Sequence, residues 1–159
     1  MLFRSILGGD AVNRKNFAAA DHHLRIAERL SPDNQHIKYF FGFSLVQQGR
    51  YSEAEGFYAN IIRINPKHSR ALNDLGFIRM RQGRLDEAKD LLERALRIEP
   101  DLAKAQTNLL MITSGEANIF RSIAEADAKL AADPVNVKLV LRSADLKNTA
   151  GLDSEAVEA

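Results

Sequence analysis

The sequence contains no cysteine, so disulfide bonds and thiolate metal sites are excluded and the redox compartment cannot be inferred. An excess of charge of one sign is also missing, because 22 Lys and Arg residues balance 21 Asp and Glu residues and leave a net charge of +1. This balance creates no strong field for nucleic acid or an anionic membrane, and we therefore expect neither as a partner.

Long apolar runs are missing as well. No stretch approaches the ~20 apolar residues that a membrane-spanning helix requires. The apolar start of the chain ends at Gly8-Gly9-Asp10, too soon for the apolar core of a typical secretory signal. We therefore expect a soluble, cytoplasmic protein without membrane insertion.

Motifs that carry catalysis are also missing. The sequence has no glycine-rich phosphate loop, no paired-histidine helix motif and no nucleophile elbow. Its four histidines are scattered, and the adjacent His22 and His23 point about 100° apart on a helix, which places them poorly for sharing one ion. We therefore expect no catalytic residue, no metal site and no cofactor in this segment.

What the sequence does contain is a pattern that recurs at a constant step. The four prolines are evenly spaced along the chain, at Pro32, Pro66, Pro100 and Pro134. The same step separates mid-helix glycines, turn glycines and small residues: Gly8, Gly42 and Gly76; Gly49 and Gly83; Ala20, Ala54 and Ala88. A structural unit that repeats with a period of roughly 34 residues is therefore predicted.

Each period contains two amphipathic halves. In residues 69–102 apolar residues recur at three- and four-residue steps on both sides of Gly83, and Pro100 ends the second half. Each half is therefore predicted to be a helix with one stripe to bury. Because two helices cannot bury both stripes alone, neighbouring copies must stack on each other.

A helix–turn–helix unit with this period and these columns resembles the tetratricopeptide repeat (TPR) family. The resemblance implies an all-α fold, an α-solenoid of stacked antiparallel helix pairs that forms a right-handed superhelix. It covers about the whole chain as one domain. The predicted repeats are 1–34 with a weak first helix, 35–68, 69–102 as the best match, 103–136 in degenerate form, and 137–159 as a partial repeat.

The ends of the predicted helices carry recognisable signals. Gly49 and Gly83 follow the last periodic residue of a helix, where the left-handed conformation is easiest for glycine. Ser52 and Asp86 are expected to cap the following helices, and Ser52 has capping-box spacing to Glu55.

The fourth repeat departs from the pattern. Leu110 stands at the position of the packing glycine, and the turn moves forward to Ser114-Gly115. The first helix is therefore predicted to be short and the second to extend over residues 117–132.

By resemblance to TPR arrays, one side of each first helix lines a concave surface that binds partners. The residues on that side are Tyr39, Phe43, Asn73, Phe77, Met80, Arg81, Asn108, Met111, Lys138 and Arg142. Aromatic side chains beside arginine favour protein contact. The alternative is that Tyr39, Phe43 and Phe77 simply pack between neighbouring inner helices.

Chaperone-binding TPR domains hold a C-terminal carboxylate with Lys, Asn and Arg side chains from three inner helices. By this resemblance Asn108, Lys138 and Arg142 occupy three of the five positions, whereas Asn73 and Phe77 stand where a Lys and an Asn belong. The hypothesis is that Lys138 and Arg142 bind a carboxylate of the partner.

We therefore expect a non-catalytic protein-interaction scaffold that binds a peptide or a partner helix in its concave groove. Two alternatives stay open: the substrate-positioning segment of a larger enzyme, as in bacterial sulfotransferases or glycosyltransferases, and a self-associating component of a pilus or secretion assembly. No polar closing helix follows the partial fifth repeat. We therefore expect either a piece of a longer polypeptide or last residues that are disordered without a partner. One possible partner is a second copy, in a homo-oligomer that forms through this repeat.

Overall fold

The computed structural model describes residues 17–134 and 136–150, and these residues form α-helices without any β-strand. In chain order the helices are α1 (Phe17–Leu30), α2 (Gln35–Gln47), α3 (Tyr51–Ile64), α4 (Ser69–Arg81), α5 (Leu85–Ile98), α6 (Ala103–Thr113), α7 (Asn118–Ala132) and α8 (Val137–Thr149). The predicted all-α solenoid is confirmed. The weak first helix of residues 1–34 and the second helix of residues 137–159 lie outside the described residues.

Neighbouring helices pack together from α1 through α6, and α7 packs against α8. Helix α4 also contacts both α2 and α6. These three helices therefore form one side of the stack, and a groove on that side is lined by their side chains.

The core follows the periodic columns of the sequence. Fully buried side chains come from nearly every helix between α1 and α5: Leu24, Tyr58, Ile61, Leu72, Ile78 and Leu92. The aromatic residues Phe41 and Tyr58 are both buried as well. Burying one such aliphatic side chain contributes about 1.5–3 kcal/mol, so packing between helices supplies most of the stability of the stack.

Glycine ends two of the helices as predicted. Gly49 and Gly83 have φ angles of 71° and 74°, the left-handed region in which a side chain would be strained. The mid-helix Gly76 has a different role. A Cβ atom there would lie 3.0 Å from Cγ of Leu92 and 3.3 Å from the carbonyl oxygen of Ala88. The paired helix α5 therefore comes close to α4 at Gly76, through a side chain as well as through its backbone.

The predicted N-caps are wrong. Helices α3 and α5 begin at Tyr51 and Leu85, so the capping positions are Arg50 and Arg84, and neither makes a side-chain cap. Ser52 and Asp86 already lie within the first turn.

Arginine and glutamate replace the expected caps. The Arg84 guanidinium donates to both carboxylate oxygens of Glu87, at 2.8 Å and 2.7 Å. Arg50 binds Glu53 in the same way, at 2.7 Å and 2.6 Å. A carboxylate in the first turn is also favoured by the helix dipole. Glu55, the other half of the predicted capping box, pairs instead with Arg79 of α4.

The fourth repeat has the predicted shift of its turn. Helix α6 ends at Thr113, Gly115 has a φ angle of 86°, and α7 begins at Asn118. The backbone of α7 then lies against the turn between α4 and α5, because a Cβ atom on Gly83 would be 2.9 Å from Cα of Arg121. Leu110, in the glycine column, is 64% exposed, so no helix packs closely on that position.

Candidate partner-binding site

The inner side of the stack contains a cavity of about 390 Å³, which we call the inner cavity. Its walls come from α2, α3, α4 and α6: Phe43, Val46, Gln47, Tyr58, Asn73, Asp74, Phe77, Ala103, Lys104, Thr107 and Asn108. Aromatic and aliphatic walls with a few convergent polar groups are typical of a ligand site, and the volume lies in the range of about 300–1,000 Å³ that such sites have.

Two amides and a carboxylate form a hydrogen-bonded chain in this cavity. The Asn108 side-chain amide donates to Oδ1 of Asn73 at 3.1 Å, and the Asn73 amide donates to Oδ1 of Asp74 at 2.8 Å. Asn73 is buried, so its orientation is fixed by these two bonds. The chain joins α4 to α6 and holds the Asp74 carboxylate in place.

Asp74 is the least satisfied group of the cavity. Its Oδ2 atom is buried and makes no hydrogen bond of normal geometry, although the Tyr39 and Tyr58 hydroxyls lie close enough to act on the carboxylate. The buried Tyr58 hydroxyl makes no hydrogen bond of normal geometry either. Burial raises the pKa of the Asp74 carboxyl, although the Tyr39 and Tyr58 hydroxyls, the Asn73 amide and the positive charge of Lys104 oppose this rise. A buried carboxylate oxygen without a partner is costly and is a common property of functional sites.

The Tyr58 hydroxyl stays protonated near neutral pH. Burial, together with the negative charge of Asp74, raises the pKa of this hydroxyl well above its ordinary value. Tyr58 is therefore a neutral group that can donate one hydrogen bond and accept others.

The structure brings four of the sequence-predicted residues together in the inner cavity, namely Phe43, Asn73, Phe77 and Asn108. Arg81 lies beside them. Its guanidinium covers the rings of Tyr51, Phe77 and Phe120, with distances of 5.4, 5.8 and 5.0 Å to the ring centres. This arginine is engaged within the fold by cation–π contacts.

Two predicted site residues belong to the packing of the helices. Met80 is 1% exposed and lies in a hydrophobic cluster with residues of α5 and α7, so its assignment to the partner surface is wrong. The cause is the position of α7, which covers this end of α4. Met111 packs against the same cluster and is only partly buried.

Tyr39 packs between neighbouring helices, as the alternative to partner binding predicts. Its ring stands edge-on to Tyr58 at 5.8 Å and is stacked on His68 at 5.7 Å with an angle of 22° between the planes. It is therefore held between α3 and the start of α4, while Phe43, one turn further along α2, lines the inner cavity.

The residues of the carboxylate hypothesis are not gathered in one cavity. Asn108 lines the inner cavity, whereas Arg142 lines a small cleft between α7 and α8 with Ser122, Glu125 and Lys129. Lys138 is exposed on α8. Binding of a carboxylate by Lys138 and Arg142 stays a prediction.

Sequence reasoning missed Asp74, Lys104 and Thr107, which also line the cavity. The signal for Asp74 is the period itself, because Asp74 lies one full repeat before Asn108. Thr107 lies one full repeat after Asn73 in the same way.

Other kinds of site have no candidate in the part of the chain that the structure describes. Among residues 17–134 and 136–150 no group of three His, Asp or Glu side chains could hold a metal ion. None of the helices in those ranges is both long and apolar enough to cross a membrane.

The fold agrees with solved structures of low sequence identity. PilF of Pseudomonas aeruginosa is similar with a TM-score of 0.64 and 19% identity, over 96% of this chain and 70% of PilF. An RS-1 MamA double mutant gives a TM-score of 0.63 and 20% identity, over 99% of this chain and 88% of that protein. A crystal structure of MamA gives a TM-score of 0.62 and 17% identity, over 96% of this chain and 89% of that protein. At these identities the similarity supports the fold alone.

No curated protein matches the chain significantly. Two tetratricopeptide repeat models match it, one over residues 45–109 and the other over residues 7–68. Together they span residues 7–109, more than half of the chain. The chain belongs to the tetratricopeptide repeat family.

Proposed function

We propose that the protein is a non-catalytic interaction scaffold that holds a segment of a partner protein in the inner cavity. The observation that carries the proposal is the cavity itself, which is formed where three successive inner helices meet. The cytoplasmic location predicted from the sequence is part of this proposal.

The composition of the walls supports a protein ligand. Phe43, Val46 and Phe77 offer apolar contact, and Asn108, Thr107 and Gln47 supply polar groups. A peptide uses both kinds of contact at once, because its backbone needs hydrogen bonds while its side chains bury apolar area. Such anchor pockets concentrate the affinity of an interface in a few residues.

A pair of threonine variants tests the proposal. Thr107 and Thr113 are both exposed on α6, and each hydroxyl donates to the carbonyl oxygen four residues earlier. Thr107 lines the inner cavity, whereas Thr113 ends the helix, so Thr107→Trp fills the cavity and Thr113→Trp is a matched control.

The assay selects peptides from a displayed random library with the unmodified protein and measures their affinity for both variants. We expect Thr107→Trp to weaken binding by about tenfold or more and Thr113→Trp to leave it unchanged, because steric exclusion from an anchor pocket removes a dominant contact. Equal binding to Thr107→Trp and to the unmodified protein would refute the cavity as the binding site.

Self-association is a second candidate, favoured by one observation. Leu110 and Leu141 are 64% and 66% exposed, and Val140 beside Leu141 is exposed too. An exposed apolar pair such as Val140 and Leu141 is a candidate contact between copies. Light scattering over a concentration series tests this function: a mass that rises with concentration supports it, and a constant monomer mass contradicts it.

A further inference from the structure

We infer that the inner cavity accepts the guanidinium group of an arginine presented by the partner segment, with Asp74 as its counter-ion. This inference rests on the proposed function and adds the chemistry of the group that is recognised. Three features of the cavity support it: its unsatisfied atoms, the direction of its hydrogen bonds and the nature of its walls.

The unsatisfied atoms require a donor. Oδ2 of Asp74 is a buried acceptor that makes no hydrogen bond of normal geometry, and the neighbouring Tyr58 hydroxyl is in the same condition. A guanidinium group carries five N–H donors in a rigid planar fork and can satisfy a carboxylate oxygen and a hydroxyl together. A carboxylate ligand has no proton to donate and would set a second negative charge beside the first.

Two amide N–H groups of the cavity are engaged within the protein. One N–H of Asn73 is directed to Asp74, and one N–H of Asn108 is directed to Asn73. With its N–H directed inward to Asn73, Asn108 keeps a carbonyl oxygen that is available to a ligand. These two N–H groups are therefore not available to a ligand, and the negative charge of Asp74 favours a cation.

The walls of the cavity suit the aliphatic part of an arginine side chain and the flat face of its guanidinium group. Phe43 and Phe77 supply aromatic surface and Val46 supplies aliphatic surface. Arginine is weakly hydrated and packs against such rings, so its transfer into an apolar cavity costs less than that of lysine. The same chain already uses this contact, because the Arg81 guanidinium covers three aromatic rings.

Lys104 modulates the site from its edge. It is exposed, lines the cavity, and acts on Asp74 by its charge. A partner arginine must compete with this charge, so removing it should strengthen binding. Lys104→Gln is therefore expected to raise the affinity for arginine, and Asp74→Asn to abolish the preference for it.

The experiment compares two acetylated and amidated pentapeptides that differ only in their central residue, Gly-Gly-Arg-Gly-Gly and the same peptide with citrulline. Citrulline has nearly the shape of arginine without its charge. The peptides are titrated to millimolar concentration into the full chain labelled with ¹⁵N, and the side-chain amide signals of Asn73 and Asn108 are followed. The control variant is Asp86→Asn, whose side chain is fully exposed on α5.

We expect the arginine peptide to shift both amide signals with an affinity at least about tenfold above that of citrulline, as for a hydrogen bond between charged groups. Asp74→Asn should remove this difference, Asp86→Asn should keep it, and Lys104→Gln should enlarge it. Equal affinities for the two peptides, no shift with the arginine peptide, or an unchanged preference in Asp74→Asn would each overturn the inference.

The library-selected peptides separate this inference from the proposed function. Peptides whose binding is lost in Thr107→Trp but unchanged in Asp74→Asn would overturn arginine recognition and leave the scaffold function standing. Peptides that bind Thr107→Trp as well as the unmodified protein would refute the proposed function itself.

Discussion

Replacing Asp74 by asparagine should stabilise the protein at neutral pH. The change keeps the size of the side chain and the acceptor for the Asn73 amide, but it removes a buried charge. Burial of that charge outweighs the hydrogen bonds from the Tyr39 and Tyr58 hydroxyls and from the Asn73 amide, because the pKa of Asp74 is raised overall. A neutral amide avoids the cost of burying a charge.

The size of this stabilisation follows from the cost of the buried Asp74 carboxylate, whose Oδ2 atom makes no hydrogen bond of normal geometry. A buried acceptor without a partner costs about 1–3 kcal/mol, and a charged one costs more. The lost attraction to Lys104 and to the Tyr39 hydroxyl reduces the gain. We therefore expect Asp74→Asn to increase the free energy of unfolding by about 1–3 kcal/mol at neutral pH, or roughly 2–4 °C in melting temperature for each kcal/mol.

The gain should depend on pH in a defined direction. Because burial raises the pKa of Asp74 in the folded protein above its ordinary value, the folded state holds a proton more readily than the unfolded state. The contribution of Asp74 to stability is therefore most favourable in acid and is lost as the pH rises from the ordinary pKa of about 3.9 through the raised one. The advantage of the asparagine variant should be small in acid and grow to a plateau above that window.

Urea unfolding followed by circular dichroism over this range of pH measures the effect, and an unchanged slope m shows that only stability differs. Asp86→Asn is the control, since its carboxylate is fully exposed. A variant that is less stable than the unmodified protein at neutral pH, or a difference that does not change with pH, would show that the Asp74 carboxylate is satisfied in solution and that the argument is wrong.

Three further predictions concern positions outside this carboxylate. Partial burial alone would raise the pKa of Asp127, but hydrogen bonds from Ser143 and Lys147 lower this pKa overall. Asp127→Asn should therefore reduce the free energy of unfolding at neutral pH, and the reduction should disappear when urea unfolding is repeated in acid. Gly83→Ala should cost more than about 1 kcal/mol, because its φ angle is positive and a Cβ atom would meet backbone at 2.9 Å, whereas Gly56→Ala, with nothing within 4 Å, should gain roughly 0.5–1 kcal/mol by the same assay. Met80→Ala should cost about 2–5 kcal/mol in thermal or urea unfolding and leave peptide binding intact, because its side chain is buried in the core rather than in the cavity.

The fold could be predicted because the period of the sequence is the period of the packing. Each helix must bury one apolar stripe, so residues such as Leu72 and Leu92 recur where helices meet, and glycines end helices where a left-handed residue is needed. Even the irregular turn of the fourth repeat had a local signal in Ser114-Gly115. The helix caps were mispredicted, because Ser52 and Asp86 have the right chemistry but lie two residues after the actual N-cap positions, Arg50 and Arg84.

The candidate site could be predicted only in part. The periodicity of the helices indicates which side of the stack a residue lies on, but it does not indicate whether that residue is buried there. Phe43, Asn73, Phe77 and Asn108 line the cavity, whereas Met80 on the same side of α4 is covered by α7. That cover depends on α7 packing against the turn before α5, a contact between residues far apart in the sequence. No pattern within one repeat specifies it.

Asp74 escaped prediction for a different reason, which also bears on function. Charged residues are normally assigned to the solvent side of an amphipathic helix. Asp74, however, lies in α4 between the buried residues Asn73 and Leu75. A stack built for stability alone would be better served by a neutral residue there, because burial of the charge outweighs the hydrogen bonds and the positive charge around it. A ligand that donates to it removes this cost only when it is bound, so the same carboxylate that weakens the free protein should make the protein more stable in the presence of an arginine peptide. The pH dependence described above should then diminish as the peptide concentration rises, since a paired carboxylate no longer favours a proton.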